Sequence, residues 1–125
     1  MDYIATAEAP KAIGPYSQAV RANGVVWTSG QIALDPATGN LVAGSFEDQA
    51  LRVFTNLDAV LRWAASDRSR VLKATVYLTD LANFQSLNAI YAEFFGGHKP
   101  ARSTVQVAAL PKGAAVEIDL VALAS

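Results

Sequence analysis

Pro100-Ala101-Arg102-Ser103-Thr104-Val105-Gln106-Val107 is the stretch on which the reading of this chain turns. Proline lacks an N–H and biases the residue before it towards extended backbone, so Pro100 suits the start of a strand. The run that follows alternates. Arg102, Thr104 and Gln106 are expected on one side of a sheet, and Ser103, Val105 and Val107 on the other. A guanidinium standing on a sheet face needs a planar anion or a partner carboxylate.

Working outward, Leu110-Pro111-Lys112-Gly113 reads as a turn and Val116 to Leu123 as a last strand, with Val116, Ile118 and Leu120 facing one way and Glu117 and Asp119 the other. Upstream, Phe84, Leu87, Ile90, Tyr91, Phe94 and Phe95 form the apolar stripe of a helix that Asp80 or Asn83 can cap and Gly96-Gly97 stops. Val71 to Leu78 precedes it as a strand. Leu72, Ala74, Val76 and Leu78 are expected on its apolar face, and Val71, Lys73, Thr75 and Tyr77 on a mixed one. Ser45 is a good N-cap for a first helix running to about Ala65, whose stripe includes Phe46, Ala50, Val53, Phe54, Leu57 and Leu61. Tyr16 to Ala22 and Val25 to Ser29 form a hairpin around Asn23-Gly24. Asp35-Pro36-Ala37-Thr38-Gly39 is a second turn, before Leu41-Val42.

Strands, helix, strand, helix, strands is best satisfied by an α+β fold: two amphipathic helices on one face of a single mixed β-sheet, in one domain spanning residues 1–125. The other face is expected to carry Arg102, Thr104, Gln106, Glu117, Asp119, Lys73, Thr75 and Tyr77, beside Val71 and Val121. That mixture suits either a face covered by a protein partner or a solvated face with cross-strand ion pairs.

Ten Lys plus Arg against eleven Asp plus Glu give a formal charge of −1, which argues against a nucleic-acid or anionic-membrane footprint. The absence of cysteine excludes disulfides, thiolate nucleophiles and Cys-based metal sites, and one histidine, His98, excludes a cluster of His ligands. No signal-peptide pattern follows Met1 and no apolar run approaches the ~18–20 residues of a membrane span, so a cytoplasmic protein is expected. His98, in a Gly-Gly-His-Lys-Pro loop, is expected to be solvent-exposed, and Lys73 to form a salt bridge. Arg102 and Glu117 lie near the starts of their strands. Pairing leaves open whether they are neighbours or lie at opposite ends. Ser29-Gly30, at a strand end, can present backbone N–H groups to an anion or mark a bulge. Tyr16 can pack or donate its hydroxyl to a substrate.

Several pieces occur together: Ile13-Gly14-Pro15-Tyr16-Ser17-Gln18-Ala19, Thr28-Ser29-Gly30-Gln31, Val76-Tyr77-Leu78-Thr79-Asp80-Leu81, Asn88-Ala89-Ile90-Tyr91, Pro100-Ala101-Arg102-Ser103-Thr104-Val105, Leu110-Pro111-Lys112 and Val116-Glu117-Ile118. In this order and spacing the chain resembles the Rid (YjgF) family of enamine/imine deaminases over nearly its whole length. The resemblance implies a chorismate-mutase-like fold and a homotrimer with clefts between subunits. It also implies hydrolysis of 2-enamino and 2-imino acids to 2-oxo acids and ammonia, without metal or organic cofactor. It implies that Arg102 holds the substrate carboxylate and Glu117 positions the attacking water, with Tyr16, Ser29, Gly30, Asn88 and Thr104 at other cleft positions. Thr104 stands where some members have cysteine, which leaves room for a backbone role and not for a thiol. The segment Ala65 to Arg70 lacks a glycine common there. A non-catalytic, chaperone-like trimer that binds small carboxylates is the alternative reading, and an endoribonuclease suits the charge less well.

Overall fold

A computed structural model describes residues 1–125. Six strands form one sheet in the order β1-β2-β3-β6-β4-β5: β1 Asp2–Ile4, β2 Ala19–Ala22, β3 Val25–Thr28, β4 Val71–Leu78, β5 Ala101–Gln106 and β6 Val116–Leu123. Every pairing is antiparallel except β4 with β5, which run parallel because α2 (Phe84–Phe95) carries the chain back between them. With α1 (Phe46–Trp63), this is the expected α+β arrangement.

The start of α1 follows from Ser45: its Oγ accepts from Asp48 N at 3.2 Å while Asp48 Oδ2 accepts from Ser45 N at 3.0 Å, a reciprocal capping box. The helix ends at Trp63, and Ala65 then adopts φ 62°, the left-handed position that glycine usually fills. The expected hairpin is present, with Asn23 at φ 52° and Gly24 at φ 74°, as a two-residue primed turn requires. β2 begins at Ala19 and not at Tyr16, because Tyr16 N turns back onto Gly14 O at 2.8 Å. β1 had no expected counterpart; three residues carry too little pattern, and their place is set by the ladder with β2, beside which Asp2 reaches Arg21 at 2.8 Å.

The core lies between the helices and the sheet, where Val53, Leu57, Leu61, Val76, Leu87, Ile118 and Leu120 are fully buried or nearly so. Two expectations about facing fail. β4 carries a bulge between Val71 and Lys73, where two residues of β4 oppose one of β6. Val71 therefore enters the core opposite Ala122, and Leu72 is 46% exposed. The larger correction concerns β5. Its parallel register sets Arg102 beside Ala74, Thr104 beside Val76 and Gln106 beside Leu78. Neighbours across a ladder point the same way, so these three side chains lie on the helix side, and Ser103 and Val105 lie on the outer face. The helix side tolerates the arginine because β5 is the edge strand and α2 supplies the guanidinium with contacts.

The outer face divides in two. Tyr3, Val20, Trp27, Val121 and Leu123 form an apolar half, in which Tyr3 is 74% and Trp27 56% exposed. Lys73, Thr75, Tyr77, Glu117 and Asp119 form a polar half, as expected. No helix is long and apolar enough to cross a membrane.

Candidate functional site

β3 breaks after Thr28, and only a single bridge, Gln31 with Ile118, continues towards β6. Ser29 is used up in making this break: its N–H donates to Gln18 O and its hydroxyl to Ser17 O. Gly30 N–H makes no hydrogen bond within the chain and is the free donor of the pair. The Glu117 carboxyl lies against Gly30 so closely that a Cβ there would stand 2.5 Å from Glu117 Oε2. Tyr16, Ser29, Gly30, Gln31, Lys112 and Glu117 line one cleft of about 370 Å³. Its far wall is the N-terminal arm, which the buried Gln18 fastens: its amide nitrogen donates to Thr6 O, Ala9 O and Pro10 O and its oxygen accepts from Thr6 N. No local signal reveals that clamp, because all its partners lie in a stretch without regular structure.

Glu117 has no hydrogen-bond or ion-pair partner in the chain. Burial raises its pKa above the ordinary 4.5, and the nearby Asp119 charge raises it further. Asp119 is also raised by burial, with the Tyr77 hydroxyl and the Lys73 charge pulling the other way. A carboxylate of raised pKa without a partner can take a proton from water and return it, the property of a general base.

Arg102, Asn88 and Thr104 form a separate group. Arg102 Nη1 donates to Asn88 Oδ1 at 2.8 Å, and the guanidinium lies 4.7 Å from the Tyr91 ring centre and 5.5 Å from that of Phe84. No carboxylate of the chain pairs with it; the ion pairs are Arg21–Asp2, Arg62–Asp58 and Arg68–Asp58. The structural Arg–carboxylate pair is therefore absent. A guanidinium oriented by an amide and two rings keeps the rest of its fork for a planar anion. Phe84 and Tyr91 read in the sequence as core stripe; their spacing around Asn88, at i, i+4 and i+7, was the available signal that one helix face serves Arg102.

The sequence-derived site residues thus fall into two half-sites: Tyr16, Ser29, Gly30 and Glu117 in one, Arg102, Asn88 and Thr104 in the other. They lie on opposite faces of the sheet. Arg102 is level with Ala74, and Glu117 with Tyr77, three residues further along β4, about 10 Å at the usual rise per residue.

His98 and Lys73 take no part. His98 is half-buried, not solvent-exposed, because its ring Nε2 donates to Val71 O at 2.6 Å. Lys73 donates to Ser103 Oγ at 3.2 Å in place of an ion pair.

Gly30→Ala is expected to push the Glu117 side chain out of its position while leaving the sheet intact. Imine hydrolysis, the activity implied by the family resemblance, should fall at least about tenfold, as for a misplaced catalytic group. The melting temperature should change little. Full activity in the alanine variant would show that the position of Glu117 is irrelevant.

The chain resembles known proteins along nearly its full length. It is 47% identical to the 2-iminobutanoate/2-iminopropanoate deaminase of Bos taurus, covering 96% of this chain and 88% of that protein. It is also 47% identical to Reactive Intermediate Deaminase A, chloroplastic, of Arabidopsis thaliana, covering 97% of this chain but 65% of that longer protein. The crystal structure of YyfA, a Rid-family protein of Yersinia pestis, superposes with a TM-score of 0.95 at 48% identity, covering 98% of both chains. A family model described as Endoribonuclease L-PSP matches residues 6–124. With these likenesses along its length, the chain belongs to the Endoribonuclease L-PSP, or Rid (YjgF), family.

Proposed function

We propose that this chain hydrolyses reactive 2-enamino and 2-imino acids to 2-oxo acids and ammonia, in clefts shared between the subunits of a homotrimer. The observation that carries the reading is the pairing of two incomplete halves: a guanidinium with no carboxylate partner on one face, and a half-buried carboxylate with no cation on the other. A ring of identical subunits brings unlike faces together, because a head-to-tail contact sets one patch of a subunit against a different patch of the next. The exposed Tyr3, Trp27 and Leu123 on the outer face suit burial in such an assembly.

In this cleft, Arg102 of one subunit grips the substrate carboxylate with two parallel hydrogen bonds, held flat by Asn88 and the Tyr91 ring. That fixes C2 of the protonated imine. Glu117 of the next subunit removes a proton from a water, whose oxygen bonds to C2 to give a carbinolamine. Glu117 then returns the proton to nitrogen; the C–N bond breaks as the hydroxyl gives up its proton to the leaving ammonia, so ammonium departs and the 2-oxo acid remains. The free Gly30 N–H suits the water oxygen while Glu117 draws its proton away. Tyr16, 54% exposed at the cleft edge, suits closure over the substrate. No metal or organic cofactor enters these steps. The whole chain, residues 1–125, acts as one domain, and its expected compartment is the cytoplasm, although the Arabidopsis thaliana relative is named as chloroplastic. Cleavage of RNA gains support only from names, those of the family and of some related structures, and a formal charge of −1 with a carboxylate in the cleft opposes phosphate binding.

Mixing two dead variants tests the shared cleft. Arg102→Ala and Glu117→Ala subunits, unfolded together and refolded at equal amounts, should recover about a quarter of wild-type imine hydrolysis, since random assembly in a ring pairs intact halves at that frequency. Light scattering should report a trimer throughout. No recovery from well-folded mixed trimers would place both residues' work within one subunit, and an active monomer would end the shared-cleft reading.

A further inference from the structure

From Trp27 to Gln31 the chain takes four steps where its partner β6 takes three, from Val121 to Ile118. The extra residue makes a bulge, which interrupts the ladder and leaves backbone unpaired. Gly30 sits in this bulge, with its N–H free and the Glu117 carboxyl close against it. The gap between these two residues is therefore not fixed by continuous strand pairing. On one side of the bulge, Thr28 Oγ1 accepts from Leu120 N at 2.9 Å; on the other, Gln31 and Ile118 exchange backbone hydrogen bonds of 2.9 and 3.1 Å. Helix α1 adds a hold from behind. Gln49 Oε1 accepts at 2.9 Å from Ala115 N, two residues before Glu117. Asn56 Nδ2 donates to Leu34 O at 2.9 Å and to Ile32 O at 3.4 Å, and Ile32 follows Gly30 by two residues.

We propose that Gln49 and Asn56 are positioning residues for imine hydrolysis: from one face of α1 they hold both walls of the cleft and so set the place of Glu117 beside Gly30. The inference rests on the reading of Glu117 as the base and deepens it. The two residues are seven apart, so they share a helix face about 10 Å along the axis from each other. Neither lines the cleft, and both act through the backbone they hold. Asn56 is fully buried, in a helix face that it shares with Val53, Leu57 and Val60. A buried amide costs stability unless it is paired, and an apolar side chain would serve the packing as well. Every polar atom of this amide is used: its nitrogen on the two carbonyls, its oxygen on Arg52 Nε at 3.2 Å. One rigid element thus grips the chain just after Gly30 and just before Glu117, where the sheet itself is interrupted.

Gln49→Met and Asn56→Leu test this, since each keeps the size of the side chain and removes its polar reach. Gln49→Glu is the conservative variant, because it keeps an acceptor oxygen for Ala115 N. Each is made alone and together with Glu117→Gln. The quantities measured are kcat and KM for imine loss, the Kd for 2-oxobutanoate and the melting temperature. Expected for Gln49→Met is a kcat about tenfold lower, as for a displaced catalytic group, with the Kd nearly unchanged because Arg102 belongs to the other half-site. Gln49→Glu should restore most of the rate. In the Glu117→Gln background, Gln49→Met should lower the residual rate less than about twofold, because a residue acting through Glu117 has nothing left to position. Asn56→Leu should behave alike with a lower melting temperature; if it does not fold, Gln49→Met decides alone. A wild-type kcat in Gln49→Met, or the same fold-loss with and without Glu117, overturns the inference and leaves Glu117 as the base. A wild-type kcat in Glu117→Gln alone overturns both.

Discussion

Arg102→Lys should lose nearly as much imine hydrolysis as Arg102→Ala. Lysine preserves the charge but replaces a planar fork by a point donor on a flexible stem. The geometry around Arg102 is built for the fork: Asn88 Oδ1 takes one N–H at 2.8 Å and the guanidinium carbon stands over the Tyr91 ring, 4.7 Å from its centre. An ammonium has neither the reach nor the shape to use both and still present two parallel donors. Losing two charge-assisted hydrogen bonds of about 1.5–3 kcal/mol each corresponds to a fall in kcat/KM on the order of 100- to 10,000-fold. The check is kcat/KM for both variants on one imine, with melting temperature and oligomeric state alongside. A lysine variant that keeps most of the activity would show that charge alone recognises the carboxylate.

Glu117→Gln should separate binding from chemistry. Glutamine keeps the size and an acceptor oxygen beside Gly30 but cannot take a proton, so turnover should fall by about 100-fold or more. Binding of 2-oxobutanoate at Arg102 should persist, and removal of a like charge favours it. Stability supplies a second, opposite signature. Because the folded pKa lies above the ordinary 4.5, the folded protein holds the proton more tightly than the unfolded chain, and ionisation costs stability as pH rises from about 4.5 through the raised value. The Gln variant escapes that cost. It should melt at or above wild type at neutral pH, with the gap closing below about pH 4.5. A structural Glu117 would do the reverse, with a lower melting temperature at neutral pH and an unchanged rate per bound substrate.

Much of the fold was legible because its signals are local. The Asn23-Gly24 turn, the Ser45 cap, the Val116 to Leu123 alternation and the Gly96 stop are each decided within a few residues. Facing on β4 and β5 was not, for two distinct reasons. A bulge at Leu72 shifts the phase of an otherwise regular strand and leaves no residue signature. On β5 both alternating sets mix polar and apolar groups, so hydrophobicity could not choose between them; the choice comes from α2, whose Asn88 and rings receive Arg102. The candidate site residues came from the resemblance, and their division into two groups needed the register of β4 with both its neighbours. The Gln18 clamp on the arm was invisible for want of any periodic partner.

The separation of Arg102 and Glu117 across the sheet has a consequence for inheritance. In a ring of the proposed kind each subunit lends its arginine to one cleft and its glutamate to another. A gene copy altered only at Arg102 therefore disables the cleft that borrows that arginine and no other. In a cell making both products, activity falls in simple proportion to the altered share, and the allele behaves as recessive wherever half the activity suffices. An allele altered at both residues spoils two clefts for each subunit it contributes, and its effect grows faster than its share. In such a ring, the sheet that keeps the two groups apart in one chain would decide which alleles a heterozygote can tolerate.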